Sequence, residues 1–125
     1  ASCANAATQI AAIAALEGPQ EPVEEMRQAF DARRKVMYAA LNDLPGVRCA
    51  LPKGAFYAFP NTSGTGIDSR TLEHELLNEA GVACLSGSSF GAFGEGYMRF
   101  SYANSADNIR EGLRRVREHL EKRSR

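Results

Sequence analysis

Apolar side chains recur along this chain at two different intervals. Between Val23 and Leu44 they stand at Val23, Met26, Phe30, Met37, Leu41 and Leu44, steps of three, four and seven that lay one stripe along a long helix. Pro22 falls where a first-turn proline belongs, and Pro45 with Gly46 ends the run. Leu72, Leu76, Leu77 and Ala80 predict a second stripe, opened by Asp68 or Ser69 and stopped by Gly81. Ile109, Leu113, Val116 and Leu120 predict a third, with Ser105 as its cap. The stretch from Asn5 to Leu16, NAATQIAAIAAL, is helical by propensity but apolar nearly all the way round. Such a helix expects neighbours on several sides. One small domain is not expected to supply them all.

The second interval is two. VRCALPKGAFYAFP (47–60) reads as a hairpin or pair of short strands, with Val47, Cys49 and Leu51 alternating before a turn at Pro52 to Gly54. VACL (82–85) reads as a short buried strand, and SGSSFGAFGEG (86–96) as a glycine-rich loop. In YMRFSY (97–102), Met98, Phe100 and Tyr102 share one face of a strand, and Tyr97, Arg99 and Ser101 share the other. Arg99 thus avoids the core and either meets water or lines a cleft. The order is α, α, then β-β-α-β-β-α, without internal repeats. It predicts an α+β fold: a small, mostly antiparallel or mixed sheet with helices packed on one face, preceded by one short apolar helix and one long linking helix.

Length and composition narrow the function classes. The 125 residues suffice for one core without metal or disulfide staples, and 44% hydrophobic with 24% charged residues is ordinary globular usage. Fifteen basic and fifteen acidic residues give a net charge of +0, so no global field draws in nucleic acid or an anionic membrane. Residues 110–125 are arginine-rich, but Glu111, Glu118 and Glu121 interrupt them, as on a solvated helix face. Cys3, Cys49 and Cys84 are an odd, widely spaced set that suits reduced thiols in the cytoplasm. His74 and His119 stand alone, without a zinc-ligand spacing. No stretch approaches the ~20 apolar residues of a membrane span, and the N-terminus lacks the layout of a signal peptide. A chain whose first residue is alanine is read as a processed product or an excised piece.

Three features could carry chemistry. Gly87, Gly91, Gly94 and Gly96 invite a phosphate-cradle reading, but their spacing fits no phosphate motif and a strand follows, so a plain strand-to-strand loop is the better reading. Ser86, Ser88 and Ser89 have no histidine nearby in sequence, and with His74 on the preceding helix a Ser–His pair is the weaker reading. Arg99 is the sharper case, because a guanidinium is a permanent planar fork that matches a carboxylate bidentately; taken alone, a strand arginine is more often solvated or salt-bridged than part of a ligand site.

PKGAFYAFP (52–60), GVACLSGSSFGAFGEG (81–96) and YMRFSYANS (97–105), in that order with a helix between the first two, resemble the C-terminal small domain of class I, fold type I, pyridoxal-phosphate-dependent aminotransferases, in the aspartate aminotransferase-like branch. The set P-x-G-x-F-Y, G-V-x-x-x-x-G-x-x-F-G and x-R-x-S-x-A is specific as a set. The likeness extends over the chain: residues 1–21 resemble a large-domain helix plus linker, and residues 22–125 the linking helix and small domain. It implies that Ile10, Ile13 and Leu16 have lost the large domain that would cover some of them, so they are expected to be either detached from the core or covered by another copy of the chain. The resemblance implies that Arg99 grips the substrate α-carboxylate at a cleft shared with another domain. Phe56, Tyr57 and Phe90 become cleft-lining candidates, with core packing as their alternative, and Ser2 resembles the end of a segment near the active site. Many members place proline where Ser86 stands, a departure expected to loosen the loop.

The family's Schiff-base lysine, its aspartate for the pyridine nitrogen and its phosphate-binding residues all precede the start of this chain. Lys35, Lys53 and Lys122 have no setting that would desolvate an amine and lower its pKa. The resemblance thus implies amino transfer between an amino acid and a 2-oxo acid in a longer, homodimeric parent carrying pyridoxal 5'-phosphate. No catalytic residue, metal or bound cofactor is expected in this chain alone. Its partners are the missing large domain, the parent's substrates and another copy through residues 5–16; nucleic acid and membrane are not expected. Two other classes remain open: a free-standing α+β module binding a small carboxylate or a protein, and a nucleic-acid binder using the last helix.

Overall fold

The computed structural model describes residues 3–124; Ser2 lies outside them. Four helices, α1 (Ala6–Glu17), α2 (Glu21–Asn42), α3 (Ser69–Asn78) and α4 (Ala106–Arg123), accompany three short strands, β1 (Tyr57–Ala58), β2 (Leu85–Ser86) and β3 (Met98–Ser101). β3 lies between the other two and pairs antiparallel with both, Tyr57 opposite Ser101 and Leu85 opposite Arg99. β1 and β2 are consequently parallel to each other, linked by α3, with the last strand inserted between them. The architecture is the α+β one that the patterning predicts.

The helix ends follow from capping chemistry. Asn5, Asp68 and Ser105 each accept a hydrogen bond from the amide three residues on, at Thr8, Thr71 and Asn108, which satisfies an orphan donor of the first turn. Pro22 occupies the first turn of α2, where its missing N–H costs nothing.

One core joins α2, α3, α4 and the inward face of the sheet. Met37 and Leu41 meet Leu72 and Leu76, Ile109, Leu113, Val116 and Leu120, and Ala58, Met98, Phe100 and Tyr102. Each such aliphatic or aromatic side chain stabilises the fold by roughly 1.5–3 kcal/mol through removal from water. The outward positions Leu85 and Ser101 are exposed, and Tyr57 and Arg99 are half-buried. Helices therefore cover one face of the sheet and leave the other open.

The strands are shorter than the alternation implies, for identifiable reasons. Residues 47–51 form no strand beyond a single bridge from Arg48 to Asn61. The Asn42 side chain takes both backbone groups of Cys49, accepting from its N–H at 2.9 Å and donating to its carbonyl at 3.1 Å. That residue thus needs no strand partner. Asn42→Ala is expected to lose about 1–2 kcal/mol of stability for these two bonds, read as a lowered midpoint of urea unfolding. The segment 82–85 contributes only Leu85 to β2, because the Val82 amide closes the end of α3 by donating to Leu76 O at 2.8 Å. Leu85 is exposed on the open face instead of buried, and Ser86 is the inward, fully buried residue.

α1 buries none of its residues; Leu16 is 81% exposed. Val23 and Met26 are exposed too, so the stripe of α2 meets the core only from Phe30 onward. This agrees with the expectation that the apolar first helix stands apart from the core. No helix of the described residues is long and apolar enough to cross a membrane, and no group of three potential metal ligands occurs among them.

All five arginines of α4 are ion-paired: Arg110 with Asp107, Arg114 with Glu111 and Glu118, Arg115 with Glu111, Arg117 with Asp43, and Arg123 with Glu75. The Arg114 and Arg115 guanidiniums hold the Glu111 carboxyl down to about 2.

Candidate functional site

The open sheet face carries an arginine held between aromatic rings. Arg99 lies on the central strand, its guanidinium carbon 4.3 Å from the ring centre of Tyr57 and 4.5 Å from that of Phe90. Tyr57 comes from β1 and Phe90 from the turn Gly87–Phe90 that continues β2. These flank β3 on opposite sides, so the cation lies between the two rings. Such contacts contribute about 0.5–2 kcal/mol each according to solvation, and they fix the plane of the fork while leaving its N–H edge free. Among the described residues, no aspartate or glutamate pairs with Arg99 and its side chain makes no hydrogen bond, whereas every arginine of α4 has a carboxylate.

The candidate residues divide into two groups. Arg99, Tyr57 and Phe90 meet directly. Phe56 stands behind, its ring centre 4.4 Å from Tyr57 and 6.3 Å from Phe30 of α2. Two rings were not among the sequence candidates: Tyr97 stacks on Phe59 at 5.4 Å with 10° between planes, and Phe59 meets Phe90 edge-on at 6.2 Å. The alternation that puts Arg99 outward puts Tyr97 outward too, so a signal for it existed.

Tyr102 positions the β1 side of the site. It is buried, its amide donates to Phe56 O at 2.9 Å and its hydroxyl to Ala55 O at 2.8 Å. Ala55 has φ +57, a left-handed conformation costly for a residue with a Cβ, and Tyr102 fastens the turn on which Phe56 and Tyr57 follow. Burial pushes the Tyr102 phenol above its ordinary value.

The glycine loop closes on itself. Gly87 donates to Tyr97 O at 2.7 Å, Tyr97 to Gly94 O at 3.1 Å, and Gly94 to Gly91 O at 3.0 Å. Its amides serve the loop's own turns, as the strand-to-strand reading requires. Ser86, expected to loosen the loop, instead ties it down: its hydroxyl is 2.7 Å from those of Ser69 and Ser88, and its amide donates to Glu73 at 3.1 Å. Ser69 in turn donates to Glu95 from both its amide and its hydroxyl, at 2.9 and 2.7 Å. Those bonds hold the Glu95 carboxyl below the usual range. Among the described residues no serine pairs with His74, which is exposed.

The described residues do not fit a pyridoxal-phosphate site. Lys35 is ion-paired with Asp31 at 2.7 Å, and Lys53 and Lys122 are exposed, so no amine is desolvated near Arg99. The amides of Gly87, Gly91 and Gly94, three of the four candidate glycines, are engaged within the fold.

Residues 1–116 match the family described as Aminotransferase class I and II. An aspartate aminotransferase of Pyrococcus horikoshii is 44% identical over 115 residues, covering 90% of this chain and 29% of that protein. An aspartate aminotransferase of Geobacillus stearothermophilus is 45% identical over 121 residues, covering 93% and 30%. The solved structure of an alanine aminotransferase from Pyrococcus furiosus matches with a TM-score of 0.91 at 31% identity, covering 96% of this chain and 31% of that one. The chain spans 29% and 30% of the lengths of these two curated relatives, less than a third. On a match that runs through nearly all of its elements, the chain belongs to the class I and II aminotransferase family.

Proposed function

We propose that this chain acts as the C-terminal, substrate-closing domain of a pyridoxal-phosphate-dependent aminotransferase, and that Arg99 binds the α-carboxylate shared by the amino-acid and 2-oxo-acid substrates. The carrying observation is the guanidinium oriented by Tyr57 and Phe90 with no internal carboxylate partner. A planar fork with a free edge accepts a carboxylate through two parallel hydrogen bonds, and the ring contacts remove freedom that binding would otherwise have to freeze. Phe56, Tyr57 and Phe90 supply apolar walls that exclude water from the bound acid.

The cofactor of the family belongs, in this reading, to the rest of a longer polypeptide, along with the catalytic lysine. Residues 1–21 belong structurally to that larger body and 22–125 form the moving domain, with α2 as the link. The exposed Ile10, Ile13 and Leu16 fit a helix that packs on the larger body, and in the isolated chain they fit self-association.

The test compares two polypeptides. The longer polypeptide carrying this sequence is expected to transfer amino groups from an amino acid to a 2-oxo acid. The 125-residue chain with added cofactor is expected to be inactive and to show no appreciable calorimetric binding of small carboxylates. Tight carboxylate binding by the chain alone would favour a free-standing binding module, and transfer activity of the chain alone would overturn the division of labour.

A further inference from the structure

We propose that Ser69, Ser86, Ser88 and Glu95 form a one-directional hydroxyl chain that sets the position of Phe90 on Arg99, making Ser86 a positioning residue for the carboxylate fork. The inference deepens the reading of Arg99 given above and rests on it only for its functional readout.

The direction follows from counting protons. Glu95 is ionised and can only accept, so the Ser69 hydroxyl spends its one proton on it, at 2.7 Å. Ser69 Oγ must then accept from Ser86 across 2.7 Å. Having spent its proton, Ser86 Oγ accepts from the Ser88 hydroxyl at 2.7 Å and from the Ser88 amide at 3.2 Å. Every hydroxyl therefore points toward one carboxylate, and each bond polarises the next. Glu95 also takes the Ser69 amide at the first turn of α3, where the helix dipole favours negative charge.

The loop's own backbone bonds close it on itself but do not tie it to the core. Between Gly87 and Gly94 the only buried residues are those two glycines, Phe90 is 52% exposed and Phe93 fully exposed. No apolar side chain in this segment reaches the core, so hydrophobic burial does not set where Phe90 sits. Ser86 and Ser69 are both fully buried, and a buried hydroxyl left unpaired is costly. The two buried hydroxyls thus depend on their neighbours in the chain for partners. The chain ties the loop to α3, whose Leu72 and Leu76 are fixed in the core.

Arginine side-chain NMR of the 125-residue chain tests this directly. Tyr57 and Phe90 shift the Arg99 Nε–H proton by their ring currents, and the signal is assigned with Arg99→Lys. Ser86→Ala and Glu95→Ala are expected to move that proton toward its random-coil position and to speed amide exchange at Gly87 and Ser88. Glu95→Gln keeps one carbonyl acceptor for the two Ser69 donors and is expected to restore part of the shift; Ser89→Ala, in the same loop but outside the hydroxyl chain, is expected to change nothing. If Ser86→Ala does not fold, the exposed Glu95→Ala decides alone. An unmoved Arg99 signal in a folded Ser86→Ala or Glu95→Ala variant overturns the proposal, as does a shift that Glu95→Gln leaves unrestored. In the longer polypeptide, Ser86→Ala should raise KM for carboxylate substrates about tenfold, the scale of one lost ring contact, with kcat little changed. A moved signal with unchanged KM would retain the positioning chain and remove the carboxylate role of Arg99.

Discussion

Arg99→Ala in the longer polypeptide is expected to lower kcat/KM for carboxylate substrates by roughly 10²- to 10⁴-fold. Two charge-assisted hydrogen bonds contribute roughly 1.5–3 kcal/mol each, and about 1.4 kcal/mol is tenfold. The loss should fall on substrate binding and leave cofactor loading unchanged, because the residues of this chain build no cofactor cradle. Arg99→Lys keeps the charge but not the planar fork, and should recover only part of the loss. Arg99→Ala should also lower the melting temperature, because its two ring contacts contribute about 0.5–2 kcal/mol each, whereas Arg99→Lys keeps a cation at the rings and should lower it less. Steady-state kinetics with paired melting curves check both statements, and unchanged kcat/KM would remove Arg99 from the site.

The second large effect is on stability. Gly94→Ala is expected to destabilise the chain by about 3 kcal/mol, the upper end of the usual overpacking cost, which lowers Tm by roughly 12–24 °C for a domain of this size. An added Cβ at Gly94 falls 1.9 Å from Gly87 O and 2.3 Å from Gly87 C, and one at Gly87 falls 2.1 Å from Gly94 O. Both obstacles are backbone, so no side chain can swing aside. The crossing must open, and with it the bonds that join Gly87, Gly94 and Tyr97. Gly112→Ala is the contrast: nothing lies within 4 Å of its added Cβ, and replacing a mid-helix glycine of α4 should stabilise by about 0.5–1 kcal/mol. Equal melting temperatures for the two variants would mean that the crossing does not constrain the loop.

What the sequence revealed depended on the range of the interaction. Caps at Asn5, Asp68 and Ser105 act over three residues, and the stripes of α2, α3 and α4 repeat over two turns, so helices were legible with their ends. The face of Arg99 was legible as well, because alternation along β3 is local. Strand lengths were not, since they depend on which backbone groups find other partners, as Cys49 does with Asn42 and Val82 with Leu76. The rings on Arg99 were foreseen as wall candidates, but their contact with it depends on the β1–β3 register and on the closed loop. The hydroxyl chain was invisible, because Ser69, Ser86 and Glu95 come together only after α3 folds back beside the sheet.

The central place of β3 also bears on how the chain is made. Synthesis releases β1 and β2 before Met98–Ser101, and among the described residues these two outer ribbons pair only with that later strand. Ile109, Leu113, Val116 and Leu120, which fill one side of the interior, emerge later still. The sheet therefore cannot assemble on the ribosome before Met98–Ser101 has left the exit tunnel, and α2 and α3 lack one side of their interior until α4 follows.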